Sequence, residues 1–332
     1  MPPKIRRSWL RFRLRTVLIL LTLIGIWLAI RSEYARDQKA AVAAIREVGG
    51  EIHFDYQYDR NGRFVEKARP LAPAWLCNLV GENYFVTVVH VAFMTSPASA
   101  GNTQPDNSQV SDSTIERLTS LSHLKSLSVR APQLTDAGMQ TIGDFSRLES
   151  LTFFSTRVTD AGVAHLSKLQ RLRHLSLTAP CVSDAAMDEL TRIDNLQSFT
   201  LRAGEVTDEG LRYITRLGKL RSLTLYGNSW PQTLGTRITE AGLKHIGKLT
   251  QLERLSINNI EVTESGLSYL ENLKNLKSAS LHRTGVTLEG WSRLRQALPL
   301  ARVSVSNGAG FLDRPTIAIE AKVDPRADAK AP

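Results

Sequence analysis

Seven histidines, two cysteines and a recurring acid are the residues of this chain whose types could do chemistry, and their spacing argues against it. His53, His90, His123, His165, His174, His245 and His282 are scattered, and His165 and His245 hold the same outer helical position in two repeated units. Repetition accounts for them better than catalysis does. No pair has metal-ligand spacing with a third ligand, and neither G-x-S-x-G, a glycine-rich phosphate loop nor H-E-x-x-H occurs. The recurring acid follows a Ser or Thr that starts a helix, so its charge serves the positive end of the helix dipole. The sequence therefore offers no catalytic group, no metal site and no cofactor site, and what it does offer is surface for binding. Arg130, Phe154, Arg202 and Tyr226 share one register position, and Arg and Tyr are over-represented at energetic hot spots. Trp230, beside Pro231, is either a partner anchor on a protruding loop or a plug over the helix edge.

The elements that position these residues come from a repeat. V/I/L-[S/T]-[D/E] restarts at Val110, Leu134, Val158, Val182, Val206, Ile238, Val262 and Val286, every 24 residues except for one step of 32. The hydroxyl residue is an N-cap, and apolar residues then follow at three-residue steps, as in Val163, Leu166 and Leu169. A leucine recurs at the fifteenth position of every unit, from Leu124 to Leu300. Two apolar residues separated by one polar residue close the unit, as in Leu127 and Val129, and that alternation is a strand. A unit of this length cannot bury its own apolar face, so neighbours stack into a solenoid. Strands sit about 4.8 Å apart and helices about 8–10 Å apart, so the stack bows with its strands on the concave side. The residue between the two strand apolars then faces the concavity: Ser128, Thr152, Ser176, Thr200, Thr224, Ser256, Ser280 and Ser304. Such a hydroxyl row either hydrogen-bonds a glycan or extended peptide, or simply suits its cross-strand neighbours.

These residues resemble the leucine-rich repeat family, in the variant whose units read VTDAGLxxLxxLxxLxxLxL, over Val110 to Val305. Departures are few: Thr114 and Ala186 replace the usual Gly, Leu288 replaces the acid, and Ala279 and Ala297 shrink two core positions. The resemblance implies an α/β, right-handed leucine-rich repeat solenoid with a concave parallel sheet and convex short helices. The N-terminal RFRLRTVLILLTLIGIWLAI, AVAAIREVGG and WLCNLVGENYF also look like membrane-anchored repeat proteins of planctomycete bacteria, for which no settled activity is implied. The repeat type is similar to that of F-box substrate adaptors, but no F-box-like helical segment is present.

The formal net charge is +10, yet Lys4, Arg6, Arg7, Arg11, Arg13 and Arg15 precede the first acid at Glu33. Basic character thus belongs mainly to the N-terminus, and nucleic acid is not an expected partner. Thr16 to Ile30 is uncharged, which predicts an N-terminal transmembrane helix, short but flanked by interfacial Trp9 and snorkelling arginines. No small-x-small site follows it, so an uncleaved anchor is expected. The charge asymmetry places the N-terminus in the cytoplasm and the repeats outside. The expected organisation is a basic segment over 1–15, the anchor over 16–30, and a juxtamembrane helix over 31–50 that lifts the domain off the bilayer. An N-terminal cap follows over 51–93, then a flexible loop over 94–109, eight repeats over 110–305 and a tail over 306–332. Cys77 precedes the first strand of the stack and Cys181 follows that of the third repeat, too far apart to bridge, so both are expected free, as small buried apolar residues.

The function expected is a membrane-tethered, non-catalytic scaffold that binds a protein or cell-envelope polymer through its concave face. The alternatives are a self-associating structural protein of the envelope and a cytoplasmic substrate-adaptor-like protein.

Overall fold

The computed structural model describes residues 14–59, 63–66, 68–75, 77, 81–93, 110–227 and 236–306. The basic segment up to residue 13, the loop over 94–109, Trp230 and its insertion, and the tail from 307 lie outside the described residues.

Ten strands form a single sheet in chain order. They are β1 (Glu51–Phe54), β2 (Val88–Phe93), β3 (Ser126–Arg130), β4 (Ser150–Phe154) and β5 (His174–Ser183), followed by β6 (Ser198–Glu205), β7 (Ser222–Tyr226), β8 (Arg254–Asn258), β9 (Ser278–His282) and β10 (Arg302–Ser306). Only β1 and β2 are antiparallel, and every later pairing is parallel. A parallel neighbour requires a crossover, and each 24-residue unit supplies one as a short helix. Along the repeat strands, alternate side chains such as Leu127 and Val129 are fully buried against helix residues such as Met139 and Ile142 in one continuous core, and only in β10 are Val303 and Val305 partly buried at its end. The architecture is thus an α/β solenoid whose repeats are built on leucine columns. Seven leucines of the fifteenth column are at most 2 % exposed, but Leu300 is 86 % exposed. In the last unit the helix runs on to Ala297, and Leu298 takes the inward place instead.

Helix α1 (Leu14–Glu47) is continuous for 34 residues. Its C-terminal part does not stand clear of the domain, because Ala41, Val42 and Ile45 join the core with Val88, Val91 and Phe93. Buried Gln38 fastens it: its Nε2 donates to the Val86 carbonyl at 3.0 Å and its Oε1 accepts from the Val88 amide at 3.2 Å. The segment expected to stand between membrane and domain is therefore a lid on the first repeat. The anchor expected over 16–30 lies inside α1, and among the described residues no helix is long and apolar enough to cross a membrane. The uncharged run is fifteen residues, about 22 Å of helix against a hydrocarbon core of about 30 Å.

Repeat-to-repeat cohesion on the helix side comes from one repeated clamp. In the first five units the first-turn Asp accepts both the backbone N–H and the hydroxyl of the N-cap residue in the next. Asp136 holds Thr159 at 2.8 and 2.7 Å, Asp160 holds Ser183 at 2.7 and 2.6 Å, and Asp184 holds Thr207 at 2.8 and 2.6 Å. Asp112 on Thr135 and Asp208 on Thr239 repeat the geometry, and Glu240 and Glu264 reach Thr263 and Thr287. Glu240 also accepts from Ser265, and these hydroxyl hydrogen bonds hold its carboxyl below the usual carboxylate range. The same hydroxyl that donates to the acid accepts from its own helix, as Thr207 does from the Glu209 amide at 3.2 Å. At most of the clamps a glycine lies close by: a Cβ on Gly210 would sit 2.3 Å from the Asp184 Oδ1. Thr114 replaces that glycine in the first unit, where no preceding repeat supplies an acid. Leu288 replaces the acid in the eighth, where no further repeat awaits one, and it is 68 % exposed. Nothing in the structure explains Ala186.

At the N-terminal end, His53 and His90 pair across β1 and β2 and stack with ring centroids 5.0 Å apart. Phe64 lies against His53 at 4.7 Å, and the Tyr58 hydroxyl hydrogen-bonds its Nδ1 at 3.1 Å. Burial, then the facing His53, pushes the His90 imidazole down to about 4.

Two outcomes are expected. Replacing Asp184 with alanine removes two hydrogen bonds to a carboxylate, costing about 2–3 kcal/mol and several degrees of melting temperature; Asp184→Asn, which keeps one acceptor oxygen, loses less. Calorimetry showing no change in Asp184→Ala would remove the clamp from the stability of the stack. For His90, the folded pKa lies below the ordinary value of about 6.5, so its contribution is intact above that pH and declines as pH falls toward 4. Between pH 7 and about 5 the wild type is expected to lose more stability than His90→Ser, read by thermal melts at each pH.

Candidate binding face

With Leu127, Val129 and their equivalents turned to the helices, the other side chains of β3 to β10 form three rows on the opposite face. Strand register aligns them across all eight strands. The middle row is the hydroxyl row from Ser128 to Ser304, half-buried except for the exposed Ser304.

The row at the strand ends carries Arg130, Phe154, Thr178, Arg202, Tyr226, Asn258, His282 and Ser306. Four of the five residues expected to bind are thus brought into one contiguous run, while Trp230 lies outside the described residues. They are coupled in pairs. The Arg130 guanidinium lies over the Phe154 ring at 5.4 Å and that of Arg202 over the Tyr226 ring at 4.2 Å. A guanidinium stacked on an aromatic face keeps its in-plane N–H edge free for a planar acceptor, and the stacking itself is favourable by about 0.5–1 kcal/mol at an exposed site. Further along, Asn258 donates to the Leu225 carbonyl and the Ser256 hydroxyl, both at 3.2 Å, and His282 hydrogen-bonds Ser306. That half of the row is tied to its own sheet.

The third row, at the strand starts, holds His90 and then Ser126, Ser150, His174, Ser198, Ser222, Arg254, Ser278 and Arg302. Reasoning from the sequence passed over it, although one further step of the same period-two alternation would have found it. Partial burial and the nearby Arg173 and Arg254 hold His174 below its ordinary range, so arginines alone charge this row at neutral pH. None of the three rows contains an acid.

The other expected chemistry falls elsewhere. Cys77 and Cys181 are free, but Cys77 is half-buried and Cys181 exposed. The chain following the repeat portion of β5 points Ala179 and Val182 inward and leaves Cys181 on the outside. His245 is buried rather than on an outer helix position. Among the described residues no cluster of three His, Cys, Asp or Glu could hold a metal ion.

No model of a known protein family matches the chain, and no curated protein does. Among solved structures, an internalin C2 of Listeria monocytogenes is similar over 65 % of this chain and 80 % of its own, at 16 % identity and a TM-score of 0.44. An internalin (inlF) of the same organism is similar over 57 % of this chain and 49 % of its own, at 17 % identity and a TM-score of 0.40. The chain thus spans about half the length of the latter.

Proposed function

We propose that this chain is a non-catalytic binding scaffold, tethered to a membrane by its N-terminal helix, that holds a protein or an envelope polymer against the open face of its repeat sheet. The observation that carries the reading is the run from Arg130 to Tyr226, in which two arginines lie stacked on aromatic rings on a face without acids. Large preformed side chains on a rigid sheet lose little conformational freedom when a partner arrives, which is how a binding surface gains affinity.

The tether rests on the apolar run behind the arginine cluster and on Leu18, Ile19, Leu21, Leu23 and Ile26, each more than half exposed. Leaving such residues in water costs free energy that a lipid surface relieves. Snorkelling arginines and interfacial tryptophans make up the length the apolar run lacks. The likeness of these segments to anchored repeat proteins of planctomycete bacteria points the same way. Because α1 is one helix of 34 residues, about 51 Å long, anchor and cap form one rod that sets the angle of the repeats to the membrane. The arginine cluster before the apolar run supports an orientation with the N-terminus in the cytoplasm and the repeats outside.

The full-length chain is expected in the membrane fraction, and deletion of residues 1–30 is expected to release it. Protease added to intact cells should digest the repeats. Their protection would reverse the topology and favour the adaptor alternative. For the face, Phe154→Ala with Tyr226→Ala is expected to reduce cross-linking of the full-length chain to its native partner at least about tenfold while the chain remains folded, with a melting temperature lower by only a few degrees, in keeping with hot-spot losses. Undiminished cross-linking would take the site off the sheet.

A further inference from the structure

The sheet face carries four arginines, Arg130, Arg202, Arg254 and Arg302, and no acid. None of the four is in an ion pair among the described residues. On the helix side several cations are answered: Arg192 pairs with Glu189, Arg216 with Asp188, and Arg293 with both Glu264 and Glu271. Seven acids serve as clamps on the helix side, and of the acids beside the sheet Glu253 pairs with Lys277, so the three rows themselves hold arginines without an acid among them. An unpaired arginine already stacked on Phe154 or Tyr226 is ordered before any partner arrives. Its bidentate N–H edge matches a carboxylate.

Resting on the reading of this face as the binding surface, we propose that its partner is an extended acidic polypeptide segment laid across the strands. The spacing separates this ligand from a uniformly charged polymer. Arg130 and Arg202 lie three strands apart and Arg254 and Arg302 two strands apart, about 14 Å and 10 Å at ~4.8 Å per strand. An extended peptide advances about 3.3 Å per residue, so within either row an Asp or Glu at every third or fourth position meets both guanidiniums. A nucleic-acid strand carries a charge about every 3.4 Å, and most of those charges would fall on hydroxyls. Between the arginine rows the Ser and Thr hydroxyls both donate and accept, which suits peptide N–H and C=O groups alike.

The test uses the full-length chain in detergent and fluorescence anisotropy with three probes. They are a twelve-residue peptide with Glu at every fourth position, the same peptide with Gln, and a single-stranded oligonucleotide of equal length. The Glu peptide is expected to bind at least about tenfold tighter than either of the others, with affinity falling as salt rises. Arg130→Gln, Arg202→Gln and Arg254→Gln together should remove that preference while leaving the melting temperature unchanged. Equal binding of Glu and Gln peptides, preference for the oligonucleotide, or Glu-peptide binding that survives the three substitutions and so belongs to the N-terminal arginines, would each overturn the proposal. If the acidic peptide fails while Phe154→Ala with Tyr226→Ala still abolishes cross-linking to the native partner, the face is the site and only the ligand class is wrong. If the cross-linking is also unaffected, the scaffold reading fails with it.

Discussion

The carboxylate clamp between successive N-caps is the interaction on which the rest of this structure depends. Leucine columns bury surface, but burial is non-directional and does not by itself fix the rotation of one unit on the next. The clamp does. It ties the backbone N–H at the start of one helix to a side chain in the first turn of the helix before it, as Asp184 does for Thr207. That N–H would otherwise be an orphan at a helix end, so a single carboxylate completes one helix and registers two. The glycine beside most clamps, and two of the three places where the pattern lapses, follow from it: Thr114 has no acid before it, and Leu288 has no unit after it.

The clamp also sets the electrostatics. By claiming an acid from seven of the eight units, it fixes negative charge at the helix starts, and several other acids, among them Asp188 and Glu271, pair with arginines nearby. Those exposed pairs contribute little to stability individually. Their consequence is distribution: the sheet face is left with arginines and hydroxyls, and two of those arginines rest on rings. Potential over a face of one sign steers an oppositely charged partner toward it. A fold-level device thereby shapes the surface available for recognition.

Much of this was legible in the residues. The repeat register, the strand positions and the alternation that turns Arg130, Phe154, Arg202 and Tyr226 outward all follow from short-range periodicity. Other features were not. Leu300 keeps the spacing of the leucine column yet faces solvent, because the last helix is longer and Leu298 reaches the core first. The helix after the apolar run reads as a spacer by composition, but its alanines and Ile45 are a packing stripe whose partner, β2, lies some forty residues on. The row of Arg254 and Arg302 lies one residue before the two strand apolars, where the sequence pattern alone gives no signal of a strand start. The pairing of arginine with aromatic was invisible because the partners are 24 residues apart in the chain.

By itself, the sequence determined that this chain stacks like units, where each helix and strand begins, and which side chains share a face, since these depend on periodicities within a single unit. Tertiary structure decided what each acid is for. A first-turn Asp read alone is a helix-dipole partner; beside the next repeat it becomes a bridge, because its second and third hydrogen-bond donors arrive only when two units come into contact. The same contact placed guanidiniums over rings and left one face without acids, a property of the stack that no single repeat possesses.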